Sequence, residues 1–79
     1  MLFQIELNTD NSYKALGLFL RVHRVRAGLS LRDLGAITNI SHTLIANIEQ
    51  GKVAGSNDTL KDLFSSLKVP YYDSTELEE

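Results

Sequence analysis

Asn39, Ile40 and Ser41 separate two runs that each carry the apolar spacing of a short helix, and this break dictates how the middle of the chain is arranged. The stretch, Gly28 to Lys52, reads GLSLRDLGAITNISHTLIANIEQGK. Upstream of the break, Ser30 stands where an N-cap side chain accepts from the first helical N–H groups. Asp33 follows three residues on, its carboxylate at the positive helix end. Leu34 and Ile37 continue at helical spacing. The first helix is predicted to stop at Thr38-Asn39, because asparagine is, after glycine, the residue that most readily takes the left-handed conformation of a C-cap. Ser41 then caps a second helix, predicted over His42 to Gln50, and Gly51 ends it. At 100° per residue, Leu44, Ile45 and Ile48 share an arc of about 100°, while His42, Thr43, Ala46, Asn47 and Gln50 fill the opposite face. One face is for packing, and the other is left to read a ligand.

A chain of 79 residues, 43% of them apolar and 8% aromatic, has room for one small domain with a modest core, and helices supply such a core at least cost. The absence of cysteine excludes disulfides and thiolate metal sites. The longest apolar run, LGLFL, is far too short to cross a membrane, and no positive region followed by an apolar stretch and a cleavage site opens the chain. The expectation is a cytoplasmic protein without a secretory signal. The net charge of −2 hides an asymmetry: between positions 14 and 52, six basic residues (Lys14, Arg21, Arg24, Arg26, Arg32, Lys52) face Asp33 and Glu49, a balance of +4. Asp73, Glu76, Glu78 and Glu79 make an acidic C-terminal tail, predicted to be solvated without fixed structure. The basic part reads either as a weakly dipolar surface or as a face aimed at phosphates.

Residues 2–7, LFQIEL, place Phe3, Ile5 and Leu7 on one side and Gln4 and Glu6 on the other, the period of a short strand. Nothing else in the chain looks like its partner, so the strand pairs with its own copy, adds to another protein, lies across a helix, or frays. A helix is predicted from about Tyr13 to Ala27, ended by Gly28. One stripe, Tyr13, Leu16, Phe19, Leu20, His23 and Ala27, is assigned to the core; a second, Leu18, Val22 and Val25, lies on the other side. Phe3, Ile5 and Leu7, from the same chain or from a symmetry mate, are its natural cover. His23 reads as a buried neutral histidine bonded through one nitrogen, with a pH sensor as the alternative. No carboxylate–histidine cluster has metal spacing, and no metal or other cofactor is expected. After Gly51 comes the loop KVAGS. Ser56 or Asn57 caps a last helix whose Leu60, Leu63, Phe64 and Leu67 close the core. Pro70 blocks continuation past Val69. Tyr71 and Tyr72 form either a last packing turn or an interface patch.

Ser30, Leu34, Ile37, Asn39, Ile40, Ser41, Ile45, Ile48, Glu49 and Gly51, with Arg24 and Gly28 upstream and Leu67 and Val69 downstream, resemble the helix-turn-helix signature of the Cro-like phage-repressor (XRE) family. The resemblance covers roughly residues 14 to 70 and implies an all-α, compact four- to five-helix bundle. The fifth helix would be a short turn near Tyr72, and a short N-terminal strand or arm completes the fold. Residues 1–10 would form the arm, 11–72 the helix-turn-helix domain, and 73–79 the acidic tail. By resemblance the function is sequence-specific binding of double-stranded DNA by a bacterial or phage transcriptional regulator, with the Ser41 to Gln50 helix in the major groove. His42, Thr43 and Asn47 match the base-reading positions: asparagine pairs with adenine, threonine offers a methyl or hydroxyl, and histidine donates to guanine. Ser30, Arg32, Ser41 and Lys52 are the phosphate candidates. Arg24 and Glu49 match an ion pair that joins the first helix to the end of the recognition helix and orients it.

Three positions depart from the pattern. Leu31 stands where relatives often carry a glutamine that touches phosphate, and Gly35 replaces a usual alanine, which weakens its helix by about 0.5–1 kcal/mol. Gly55 stands where relatives often have proline, which predicts a less rigid loop. A homodimer is expected, with Phe3, Ile5, Leu7 and the Leu18, Val22, Val25 stripe buried between copies. The rival reading is an antitoxin-like or accessory protein-interaction module with weak DNA binding. An enzyme is not expected, because no nucleophile, paired carboxylates or phosphate loop is present.

Overall fold

The computed structural model describes residues 12–71, and these fold into four helices: α1 (Ser12–Arg26), α2 (Leu31–Thr38), α3 (His42–Glu49) and α4 (Asn57–Ser66). Each boundary has a local cause. Ser30 and Asp33 form a reciprocal capping box at α2: the Ser30 Oγ accepts from the Asp33 N–H at 2.9 Å, and the Ser30 N–H donates to Asp33 Oδ2 at 2.9 Å. At α3 the Ser41 Oγ accepts from the N–H groups of Thr43 and Leu44 at 3.2 and 3.4 Å. Of the two candidates for the α4 cap, Ser56 takes the role, accepting from the Thr59 N–H at 3.1 Å.

All four helices end on a residue in the left-handed region: Gly28 at φ 77°, Asn39 at 59°, Gly51 at 76° and Lys68 at 61°. After Gly28, Gly51 and Lys68 the next N–H returns to a carbonyl five residues back (Leu29 to Arg24, Lys52 to Asn47, Val69 to Phe64), which absorbs helix carbonyls that would otherwise be unpaired. Lys68 is the stop that the sequence concealed. With no β-branch or cap preference to announce it, the helix was expected to run on toward Pro70, yet it ends at Ser66.

Leu20, Leu34, Ile45, Ile48, Leu60, Leu63 and Phe64 make the core, with Leu16, Phe19, Leu29, Leu31, Ile40, Leu67, Val69 and Tyr71 packed partly buried around it. α3 lies against both α1 and α2, and α2 also contacts α4. Gly17 makes the closest of these approaches possible. A Cβ there would fall onto the Ile48 carbonyl oxygen and lie 3.1 Å from the Ile48 carbonyl carbon and 3.2 Å from the Glu49 Cα. The backbones of α1 and α3 meet with no side chain between them. At the other end of the core, the Tyr71 ring stacks on Phe64 with centroids 5.5 Å apart, and its hydroxyl lies 3.1 Å from Asn57 Oδ1. Of its two expected roles, Tyr71 takes packing.

Several expectations are corrected. Ala27 is exposed and leaves the core stripe, because α1 ends at Arg26 and the chain reverses through Gly28. Ile37 is 59% exposed. The buried side of α2 carries Leu31, Leu34, Gly35 and Thr38, and at 100° per residue Ile37 lies about 110° from its middle. Leu44, at the edge of the packing arc of α3, is 37% exposed. His23 is half-buried, its ring centroid 4.5 Å from that of Phe19 with the two planes at 76°. Gly55 has φ 72°, a conformation proline cannot take, so this loop needs its glycine. The described residues contain no strand and no fifth helix; the predicted strand at 2–7, the turn near Tyr72 and the acidic tail lie outside them.

Candidate nucleic-acid interface

Arg24 and Glu49 come together as the resemblance implied. Arg24 Nε donates to Glu49 Oε2 at 2.7 Å and Nη2 to Oε1 at 3.0 Å, the two-pronged geometry that matches a planar guanidinium to a carboxylate. The third nitrogen, Nη1, donates to the Leu29 carbonyl at 2.8 Å. Both residues are 9% exposed, and the hydrogen bond that Arg24 donates to the Glu49 carboxylate raises the Arg24 pKa further above its already high ordinary value. One side chain thus ties the end of α1, the loop into α2 and the last residue of α3. The Leu29 carbonyl was invisible in the sequence, since a backbone acceptor carries no residue signature.

With Ile45 toward the core, Thr43, Asn47 and Gln50 fall within about 60° on the opposite side of α3. Thr43 and Gln50 are exposed and Asn47 is half-buried. His42 does not join them: it is half-buried and turned toward α2, at the rim of a shallow depression that also takes in Arg32, Gly35 and Ala36 of α2 and residues 39–41 of the turn. Gly35 lets this corner close. A Cβ there would lie 2.8 Å from the Ile40 carbonyl oxygen and 3.5 Å from the His42 Cβ, so the glycine that costs α2 some intrinsic stability also sets how near α2 comes to the start of α3. Leu31 is half-buried, its side chain packed against the core.

The helix ends differ in charge. α2 carries Asp33 in its first turn and α4 carries Asp58, whereas the first turn of α3 has no acidic residue. The Asp33 carboxyl is held below its ordinary range by the Ser30 N–H and then by the Ser30 hydroxyl. Its negative charge answers the α2 dipole from within the chain, while the positive end of α3 stays available to an external anion. Ser30, Ser41, Arg32 and Lys52 are all exposed, as are Lys14, Arg21 and Arg26; of the six cations between positions 14 and 52, only Arg24 is buried. Among the described residues no group of His, Cys, Asp or Glu has the arrangement of a metal site, and no helix is long and apolar enough to cross a membrane.

Two short helices meeting through a tight turn, the second presenting a polar arc and a first turn free of acid, define a helix-turn-helix domain. Residues 15–71 match the helix-turn-helix domain family, and the chain belongs to it. Comparison with curated proteins and with solved structures gave no match.

Proposed function

We propose that the chain is a Cro-like (XRE-type) transcriptional regulator of bacterial or phage origin that binds double-stranded DNA sequence-specifically, as a homodimer, in the cytoplasm. The observation that carries this reading is α3 itself, apolar toward the core and polar outward, with an acid-free N-terminus. Residues 11–72 form the binding domain. In the major groove, Thr43 and Asn47 read base edges from the outward arc, and His42 reads from its N-terminal side. Ser41 and Lys52 hold phosphates at the two ends of α3; Arg32 and Ser30 hold them at α2.

A second reading is favoured by one observation, the exposed Leu18, Val22 and Val25 on α1, which suits a protein-interaction module with weak DNA affinity. Titration against a random and a selected duplex at two salt concentrations separates the two. The regulator reading expects a sequence preference and an affinity that falls steeply with salt. Salt-insensitive binding, with selected and random duplexes alike, would overturn it.

A further inference from the structure

The outer side of α1 carries an apolar stripe that no other described residue covers: Leu18 is 58% exposed, Val22 42% and Val25 57%. At 100° and 1.5 Å per residue the three fall within about 60° of arc and about 10 Å of axis. Arg21 and Arg26, both exposed, flank the stripe at about 70° on either side of its middle. A specific interface between separate proteins buries about 1,200 Å² or more, so a free partner would need more surface than these three side chains supply. A segment of the same chain meets a lower requirement, because a short tether holds it at an effective concentration in the millimolar range.

We propose that the occupant is the chain's own residues 2–7, folded back along α1. LFQIEL puts Leu7, Ile5 and Phe3 on one side, about 13 Å from first to last in an extended strand, close to the length of the stripe. The order along the chain matches as well: Leu7, nearest the helix, meets Leu18, Ile5 meets Val22, and Phe3 meets Val25. Asn8, Thr9, Asp10 and Asn11 are turn-forming residues placed where the chain must reverse. The five steps from Leu7 to Ser12 reach about 17 Å when extended. That exceeds the roughly 9 Å of axis between Ser12 and Leu18, so the reversal fits. Glu6, on the other side of the segment, adds a negative charge to a stretch that runs along a helix face flanked by two arginines. This docking is independent of DNA binding and makes no use of α3.

Nuclear Overhauser contacts between the Ile5 and Val22 methyl groups test it, measured once in a uniformly labelled sample and once, isotope-filtered, in a mixture of labelled and unlabelled chains. The contacts are expected in the first and absent from the filtered spectrum. Filtered contacts would make a second copy the occupant, and no contact in either sample would leave the segment undocked; both overturn the proposal. Ile5→Asp is expected to shift the Val22 and Val25 resonances to those of a chain lacking residues 1–8, while Gln4→Asp leaves them in place. Equal effects of the two substitutions would count against the alternation on which the docking rests. None of these readouts involves DNA, so their failure and a failure of the regulator reading are separately visible.

Discussion

Asn47 lies in the C-terminal half of α3 and Lys52 three residues beyond its end, and they make different demands on a duplex. Asn47→Ala is expected to cost about 1–3 kcal/mol on the preferred site and to relax the preference at one base pair. Lys52→Ala is expected to weaken all sites nearly alike and to reduce the salt slope by about one, since a phosphate contact carries no sequence. Titrating both variants on preferred and scrambled duplexes at two salt concentrations decides; equal losses for Asn47→Ala on the two duplexes would remove it from readout. The Arg24–Glu49 pair belongs to this scale too. Glu49→Ala leaves a guanidinium 9% exposed with the Leu29 carbonyl as its remaining partner, and a loss of about 3–5 kcal/mol is expected. Gln50→Ala, on an exposed neighbour, should stay within about 0.5 kcal/mol. A double-mutant cycle with Arg24→Ala measures the coupling, and a value of zero would mean the pair contributes nothing. The pair was readable because both partners bear charges at family positions. That His42 sits apart from Thr43 and Asn47 was not, because its neighbour on that side is the bare backbone of Gly35.

At the scale of elements, local chemistry was the readable part. Ser30, Asn39, Ser41 and Gly51 announce where α2 and α3 begin and end, because capping depends on residues within one turn. Gly17 was not readable: its reason lies in the Ile48 carbonyl, 31 positions on in the chain and in contact only once α1 and α3 have packed. The two scales oppose each other in sign. Inside an isolated helix Gly17→Ala would gain about 0.5–1 kcal/mol, but here a Cβ overlaps backbone that cannot swing aside. A net destabilisation of at least 1–3 kcal/mol is expected. Denaturant unfolding checks it, and a stabilised variant would disprove the close approach. Asp33 gives a pH dependence. Its folded-state pKa is depressed by Ser30, so its contribution is present above the unfolded value of about 4 and is lost as pH falls through the lower folded value. Unfolding between about pH 5 and pH 2 should therefore show a stronger acid dependence in the wild type than in Asp33→Asn. Identical slopes would show that the capping box does not hold the carboxylate.

For the whole molecule, periodicity named the core well except where it met an edge: Ala27 falls past the end of α1, and Ile37 falls outside the groove that α2 fills. A repeat of apolar residues shows which way a side chain points, but not whether a neighbour is there to meet it. The proposed homodimer belongs to this scale: with residues 2–7 docked on their own α1 its interface lies elsewhere, and a chain lacking residues 1–8 is expected to keep its mass in sedimentation; a monomer after the deletion would place the segment between copies. The left-handed residues that close all four helices also bear on how the chain reaches its fold. Gly28, Asn39 and Gly51 write three of these stops into their own turns, so the ends of α1, α2 and α3 are set by local chemistry, and what remains is a search among short elements. Among the long steps in that search are those that bring Arg24 to Glu49, 25 residues away, Gly17 to Ile48, and the ring of Phe19 to that of Phe64. Chains so dominated by local contacts fold in about microseconds to milliseconds. The rate should respond to changes where α1 meets α3 and α4, contacts that close the wide loops of the chain, far more than to changes at any cap.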